Sequence, residues 1–238
     1  MPTFSFDFNS KTAVVTATSG IGLAIARALH DAGARVICAG LPPQDPAALQ
    51  GLDCRMLDVT QNDQVKALFG SLPRLDILIN AAGINRRLAE HDPEVFERVV
   101  DVNLHGTMRC CQAAKPLLLA SRGAVVNIAS MLSFFGAAHA PGYAASKGGV
   151  AQFTKSLANA WAADGVRVNA IAPGYVETQL TQALWEDPAR SSSIQSRIPL
   201  GRWAQPQDMT GPTLFLCSDA AAYVTGAILP VDGGYLAY

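Results

Sequence analysis

The chain predicts a single α/β domain built on a doubly wound, mostly parallel sheet of about seven strands flanked by helices. Apolar runs of strand length recur along the 238 residues with helical stretches between them, the pattern of a βαβ series. The runs are β-branched and nearly continuous rather than alternating, as expected when helices cover both faces of a parallel sheet. Half of the residues are hydrophobic, enough for one large core, and no repeat or low-complexity tract divides the chain.

TAVVT at 12–16 is the first strand, and the tight turn TATSGIG leads straight into a helix, LAIARALHDAG, that closes at Gly33. RVICAG at 35–40 is the next strand. DQVKALFGSL reads as a helix ending before Pro73, and LDILINAAG at 75–83 returns to the sheet. Asp92 is placed to cap one long helical stretch, PEVFERVVDVNLHGTMRCCQAAKPLLLA. GAVVNIAS at 123–130 is a buried strand followed by a loop and the helix that carries GYAASKGG. VRVNAIAPG at 166–174 and AILPVDGG at 227–234 complete the strand series. Between them, residues 176–208 are polar, Ser-rich and punctuated by Pro188, Pro199 and Pro206, which predicts either a substrate lid on the domain or a solvated excursion.

Composition excludes several functions. Lys plus Arg number 18 against 19 Asp plus Glu, with no long basic run, so nucleic acid is not an expected partner. The five cysteines form no C-x-x-C pair and the four histidines are scattered, which predicts a reduced cytoplasmic protein without a metal site. The start, MPTFSFDFNSK, has no secretory pattern, and the uncharged stretch at 123–146 is too interrupted by polar residues and Pro141 to span a membrane.

Tyr143 and Lys147 stand four apart on one helical face, with Ser130 thirteen residues upstream. Bringing a phenol from about 10 to neutrality needs about 3 units, or about 4 kcal/mol. A cation about 4 Å away at an effective dielectric of about 20 supplies that much, so one lysine suffices to make a tyrosine an acid or base near neutral pH. The pair alone also occurs by chance on helices. At the other end, Thr16, Ser19, Gly20, Ile21 and Gly22 form a small-residue turn that would set backbone N–H groups and a helix's positive end against a pyrophosphate. In LDVT, Asp58, followed by Val59, could bond an adenine amino group or cap the next helix. The turn of Asn80, Ala81, Ala82 and Gly83 offers close backbone approach to a ribose, or is a plain strand end.

The series TATSGIG, LDVT, NAAG, Asn103 in DVNLHG, Ser130, YAASK, VNAIAPGYVET and VDGG, in that order over nearly the whole chain, closely resembles the classical short-chain dehydrogenase/reductase family. The resemblance implies a Rossmann fold and a soluble NAD(P)-dependent enzyme interconverting a secondary alcohol and a ketone. It implies that Tyr143 is the general acid/base, that Ser130 bonds the substrate oxygen, and that Lys147 holds the nicotinamide ribose and lowers the Tyr143 pKa. Asn103 would support a water chain, and Pro173, Gly174, Val176 and Thr178 would contact the nicotinamide carboxamide. GINRR, NIASMLSFFG, APGYVETQLTQAL, RIPLGRW and VDGGYLA are similar to the sugar-acid branch of the family, the 2-dehydro-3-deoxy-D-gluconate 5-dehydrogenases, also called 2-deoxy-D-gluconate 3-dehydrogenases. A sugar acid needs a cation for its carboxylate, and Arg86, Arg87, Arg197 and Arg202 stand in segments expected to border the cleft, unless they form surface or subunit ion pairs. Arg86 is the first choice for substrate, with Met131 and His139 as further lining. A reductase of another ketone, such as a 3-oxoacyl thioester, and a nucleotide-binding protein with impaired turnover are the alternatives. The resemblance also implies a homotetramer, with the helix at 92–120 and the Tyr143 helix at one interface and VDGGYLAY near another.

Two departures from the family pattern bear on the cofactor. The usual turn is T-G-x-x-x-G-I-G, and here the first glycine is missing, which predicts weakened dinucleotide binding or a rearranged phosphate site. At the end of the second strand, where NAD-preferring relatives often carry an acid for the ribose 2′-hydroxyl, this chain has Gly40, Leu41, Pro42 and Pro43. NAD is the expected cofactor, and NADP is compatible with these residues.

Overall fold

Seven strands, Thr12–Val15 (β1), Arg35–Gly40 (β2), Asp53–Met56 (β3), Ile77–Asn80 (β4), Ala124–Ile128 (β5), Arg167–Pro173 (β6) and Ile228–Val231 (β7), form one sheet in the order β3-β2-β1-β4-β5-β6-β7, every pairing parallel. The computed structural model describes residues 6–43 and 45–237. Residues 1–5, part of the start read above for a secretory pattern, and Tyr238 of the closing segment lie outside these. The strand order reverses between β1 and β4, so the crossovers leave in opposite directions and a crevice opens at the carboxyl ends of these two strands.

Successive side chains of a strand point to opposite faces, and each face is covered by helices. Val14, Leu78, Val125 and Val168 pack beneath Asn62–Gly70 (α2), Gly106–Ser121 (α4) and Pro141–Trp161 (α5). Ala13, Val15, Ile77, Ile79 and Val126 pack against Gly20–Asp31 (α1) and Thr210–Cys217 (α8). Burial on both faces explains why the central strands read as unbroken apolar runs.

The long helix expected after Asp92 is present with a change of winding inside it. The Asp92 carboxylate accepts from the amides of Glu94 and Val95 and starts Pro93–Val100 (α3). The helix then widens to a π-turn at Asp101–His105 before continuing as α4. Such turns add a residue without ending the helix, and this one carries Asn103. One strand has no counterpart among the apolar runs. β3 reads DCRM and leaves Met56 63 % exposed at the sheet edge. Its connection from β2 holds only a 3₁₀ turn at Pro46–Leu49 among the described residues. Residues 176–208 begin at Val176, which bridges to Ala204 near the other end, and carry two short helices, Gln182–Trp185 (α6) and Pro188–Gln195 (α7).

Among the described residues, no helix is long and apolar enough to cross a membrane, and no group of three or more His, Cys, Asp or Glu is placed to hold a metal.

Candidate active site

A cleft of about 730 Å³ runs along the carboxyl ends of the strands, from the turn after β1 to the helix that carries Tyr143. At its first end, Thr16 follows β1, and its Oγ1 accepts from the amides of Ala81 and Ala82 at 3.0 and 3.3 Å, tying the β1 turn to the β4 turn. Ser19 is extended, Gly20 takes φ +55°, and α1 begins there with its amino end at the cleft. A Cβ on Gly22 would overlap the Cβ of Ala17 and come within 3.0 Å of Ala81, so the turn and the two strand ends close tightly around that position. The shortened turn therefore still delivers the unpaired amides of the first helical turn to the cleft. It is also stapled to the end of β2, where Thr18 Oγ1 donates to the Leu41 carbonyl at 2.7 Å. These features fit a dinucleotide: a glycine that admits no side chain, a helix amino end and a crevice at the switch point of the sheet.

Most of the expected cofactor residues line this cleft, including Asp58, Val59, Ala81, Gly83, Pro173, Gly174, Val176 and Thr178. Asp58 does not cap the helix, which begins at Asn62 behind Gln61; its Oδ1 instead accepts from the Thr60 amide at 2.9 Å and the Thr60 hydroxyl at 2.7 Å, closing the turn before α2. Burial by itself would raise its carboxyl, but these two bonds, with Arg98 and Arg109 nearby, hold it below the usual carboxylate range. Asn80 begins the turn expected to approach a ribose with its backbone. Its amide turns into the sheet, donating to Asn127 Oδ1 at 2.8 Å, and Asn127 in turn donates to Thr154 Oγ1 at 2.8 Å, so the side chain stays away from the cleft.

Ser130 at the end of β5 and Tyr143 and Lys147 on α5 all face the other end of the cleft. The Lys147 Nζ lies 5.6 Å from the centre of the Tyr143 ring and donates to the Ile128 carbonyl at 2.6 Å. The Tyr–Lys spacing predicts a phenol drawn toward neutrality by the ammonium, and burial opposes that. Burial pushes Tyr143 up to about 12, the hydrogen bond with Ser130 pulls against it, and the Glu90 carboxylate adds to the rise. Burial also pushes the Lys147 ammonium down to about 8. A fully charged lysine would lower a solvated phenol, whereas here both groups lose solvation together.

Asn103 lies behind the cleft rather than in it. Its Oδ1 accepts from the Ile84 amide at 2.8 Å, and its Nδ2 donates to the Ile84 carbonyl at 2.9 Å and to Ser146 Oγ at 3.0 Å. The side chain thus joins the β4 turn to α5. Met131 is buried against Ile198 and Tyr235 instead of lining the cleft. His139 is half-buried outside the lining; burial and Arg87 lower its pKa while Glu90 opposes them.

The four arginines separate. Arg202 forms a two-pronged pair with Asp208, at 2.7 and 2.9 Å, so the ion-pair alternative holds for it. Arg86 lines the cleft. Arg197 stacks over the Tyr235 ring with its guanidinium carbon 4.6 Å from the centroid. Tyr235 meets Tyr175 edge to face at 5.5 Å, and the charges of Arg197 and Arg87 are both felt at the Tyr175 phenol. Burial, then Tyr235, raise that phenol, against the two arginines. This aromatic and cationic wall begins at Met131, next to Ser130. The sequence singled out neither tyrosine, because a tyrosine after Pro-Gly and one near a chain end carry no periodic signal.

A family model described as enoyl-(acyl carrier protein) reductase matches residues 15–236. The 2-dehydro-3-deoxy-D-gluconate 5-dehydrogenase of Pseudoalteromonas atlantica is 42 % identical, over 97 % of this chain and 98 % of that protein. The cis-4-hydroxycyclohexanecarboxylate dehydrogenase of Sinomonas cyclohexanicum is also 42 % identical, over 97 % and 98 %. Among solved structures, a candidate 2-deoxy-D-gluconate 3-dehydrogenase of Agrobacterium tumefaciens with bound NADP is 45 % identical, with a TM-score of 0.90 over 99 % of this chain and 100 % of that one. With a family model over residues 15–236 and relatives 42 and 45 % identical over at least 97 % of its length, the chain belongs to the short-chain dehydrogenase/reductase family.

Proposed function

We propose that the protein is an NAD(P)-dependent oxidoreductase that interconverts a secondary alcohol and a ketone on a sugar acid such as 2-dehydro-3-deoxy-D-gluconate or 2-deoxy-D-gluconate. One observation carries the reading: Ser130, Tyr143 and Lys147 meet in the same cleft as the glycine turn at the amino end of α1. The relatives' names support the substrate class, since each dehydrogenase named acts on a molecule with both a carboxylate and an alcohol.

The nicotinamide, when bound, supplies the acceptor or donor of hydride. The protein's part is to position the reacting carbon and move one proton. Tyr143 exchanges that proton with the substrate oxygen, Ser130 bonds the same oxygen, and Lys147 sets the local field beside the phenol. Asn103 acts through its clamp between Ile84 and Ser146, fixing the β4 turn against α5. Arg86, Arg87 and Arg197 are the cations available to the carboxylate, with Tyr175 and Tyr235 as the wall behind them. Residues 176–208 close over the cleft as a lid through Val176, Thr178 and Leu180, which line it. Both NAD and NADP are admitted at the β2 end, because Gly40, Leu41, Pro42 and Pro43 offer no carboxylate to repel a 2′-phosphate. A cytoplasmic homotetramer is the assembly and location the family implies, and light scattering of the purified enzyme reads the assembly directly.

Tyr143→Phe should lower kcat at least about a thousandfold while leaving the Kd for NADH and NADPH within about twofold. The assay follows reduced-nicotinamide absorbance with a panel of sugar acids and a 3-oxoacyl thioester. An active variant removes Tyr143 from the chemistry, and turnover of the thioester alone replaces the substrate class.

A further inference from the structure

Glu90 is a carboxylate in a place that normally costs free energy. It is 1 % exposed, and no lysine or arginine lies within salt-bridge distance of it among the described residues. A buried charge of this kind persists only when donors replace its water, and here three backbone N–H groups do so. Oε1 accepts from the amides of Arg86 and Arg87 at 2.7 and 3.1 Å. Oε2 accepts from the amide of Tyr143 at 2.8 Å. The carboxylate therefore bridges two segments 53 residues apart in sequence. One is the turn that carries two guanidiniums, with Arg87 at φ +52°; the other is the first turn of α5. Space around the bridge is closed, since a Cβ on Gly142 would come within 3.2 Å of Phe96 and 3.4 Å of Glu90. Neither arginine has a carboxylate partner of its own among the described residues, so both remain free for an anionic substrate group.

We propose that Glu90 is a positioning residue that clamps the arginine-bearing turn to the amino end of the Tyr143 helix, holding the substrate's carboxylate site and its reacting hydroxyl at one fixed separation. The inference rests on the reading that Tyr143 exchanges the proton and that Arg86 or Arg87 receives the carboxylate. Two properties of the side chain are used, and they separate by substitution. Its reach spans both segments, which a glutamine retains on only one side and an aspartate is too short to provide. Its charge faces Tyr143, and a negative charge there disfavours the phenolate. The other groups facing Tyr143 and Glu90 are Ser130 from the end of β5, Lys147 from α5, Arg86 and Arg87 from the same turn, and His139 from the loop before α5. His139 titrates below its ordinary range and Ser130 does not ionise, so neither moves in the alkaline window where the phenol and the ammonium titrate.

The test compares wild type, Glu90→Gln and Glu90→Asp in alcohol oxidation. The probes are 2-deoxy-D-gluconate and cis-4-hydroxycyclohexanecarboxylate, each paired with its uncharged carboxamide. Glu90→Gln should move the midpoint of the kcat pH profile down by about 0.5 to 1 unit, and Glu90→Asp should leave it in place. Both should raise KM for the carboxylates about tenfold and for the carboxamides less than twofold. A profile unmoved in Glu90→Gln, or KM raised equally for carboxylate and carboxamide, overturns the proposal. Should both variants fail to fold, amide exchange in the wild type decides: the Arg86, Arg87 and Tyr143 amides must all be protected, and rapid exchange at either side of the bridge overturns it. Wild-type enzyme inert on every sugar acid would instead defeat the substrate assignment, leaving the exchange measurement to judge the clamp.

Discussion

Lys147 shows at the level of one residue what the site costs the fold. It is 4 % exposed, its ammonium donates to the Ile128 carbonyl, and burial pushes its pKa down from the ordinary 10.5 to about 8. A lysine whose folded pKa lies below its unfolded value destabilises the protein fully at pH values under 8, and that penalty disappears as the pH rises through the window from about 8 to 10.5. Lys147→Met keeps the volume of the stem and removes the charge, so it should stabilise the fold by about 1 to 3 kcal/mol at neutral pH. The gain should shrink to near nothing above pH 10.5, and turnover should be lost. Denaturant melts at neutral and alkaline pH check this, and a variant less stable than wild type at neutral pH contradicts it. Sequence spacing showed that Tyr143 and Lys147 share a helical face. It did not show their desolvation, which depends on every element packed around them, nor Glu90, an acid in a polar stretch whose bond to the Tyr143 helix spans 53 residues.

The turn between β1 and α1 lacks one residue of the usual family turn, and yet the helix still begins at the cleft. Closure comes from one local bond and one to the end of β2: the Ala17 amide donates to the Val15 carbonyl at 2.9 Å, and the Thr18 hydroxyl reaches the Leu41 carbonyl. The tight turn brings Ala17 against Gly22, and one added residue would relax that contact and restore the length of the usual family turn. A glycine inserted between Thr16 and Ala17 should therefore tighten binding of NADH and NADPH about tenfold, equivalent to about 1.4 kcal/mol. Calorimetric titration with each cofactor measures it, and unchanged affinity means that the short turn is already a sufficient phosphate site. Elements whose energetics are local were legible in sequence, such as the helix capped by Asp92 and the runs buried on both faces. The π-turn at Asn103 and the edge strand β3 were not. A π-turn is fixed by what packs against the helix, and β3 is held by pairing with β2 rather than by burial of its own side chains.

Across the whole molecule, function and stability occupy opposite edges of the sheet. The cleft uses the carboxyl ends of the strands, and the amino ends of the three central strands converge on Asp76. Its amide donates to the Thr12 carbonyl at 2.8 Å, its carbonyl accepts from the Ala124 amide at 2.8 Å, and its carboxylate accepts from the Thr12 amide at 2.9 Å and from Arg74 at 2.7 Å. Asp76 is 3 % exposed. Burial would raise its carboxyl, but Arg74, the Thr12 amide and Lys11 outweigh it and hold the pKa below the ordinary carboxylate value. A carboxyl depressed in the folded state stabilises the protein fully above its unfolded pKa of about 4, and that contribution is lost as the pH falls through the lower folded value. Asp76→Ala should cost about 2 kcal/mol at neutral pH, since it leaves the Thr12 amide without its carboxylate. It should also flatten the acid limb of the stability curve. Because the substitution sits at the amino edge, cofactor affinity of the folded variant should stay within about twofold of wild type, equivalent to about 0.4 kcal/mol. Urea melts between pH 3 and pH 7, paired with a cofactor titration at pH 7, separate the two effects: a variant as stable as wild type at pH 7 refutes the anchoring role, and one that folds but loses cofactor shows that the two edges are mechanically coupled.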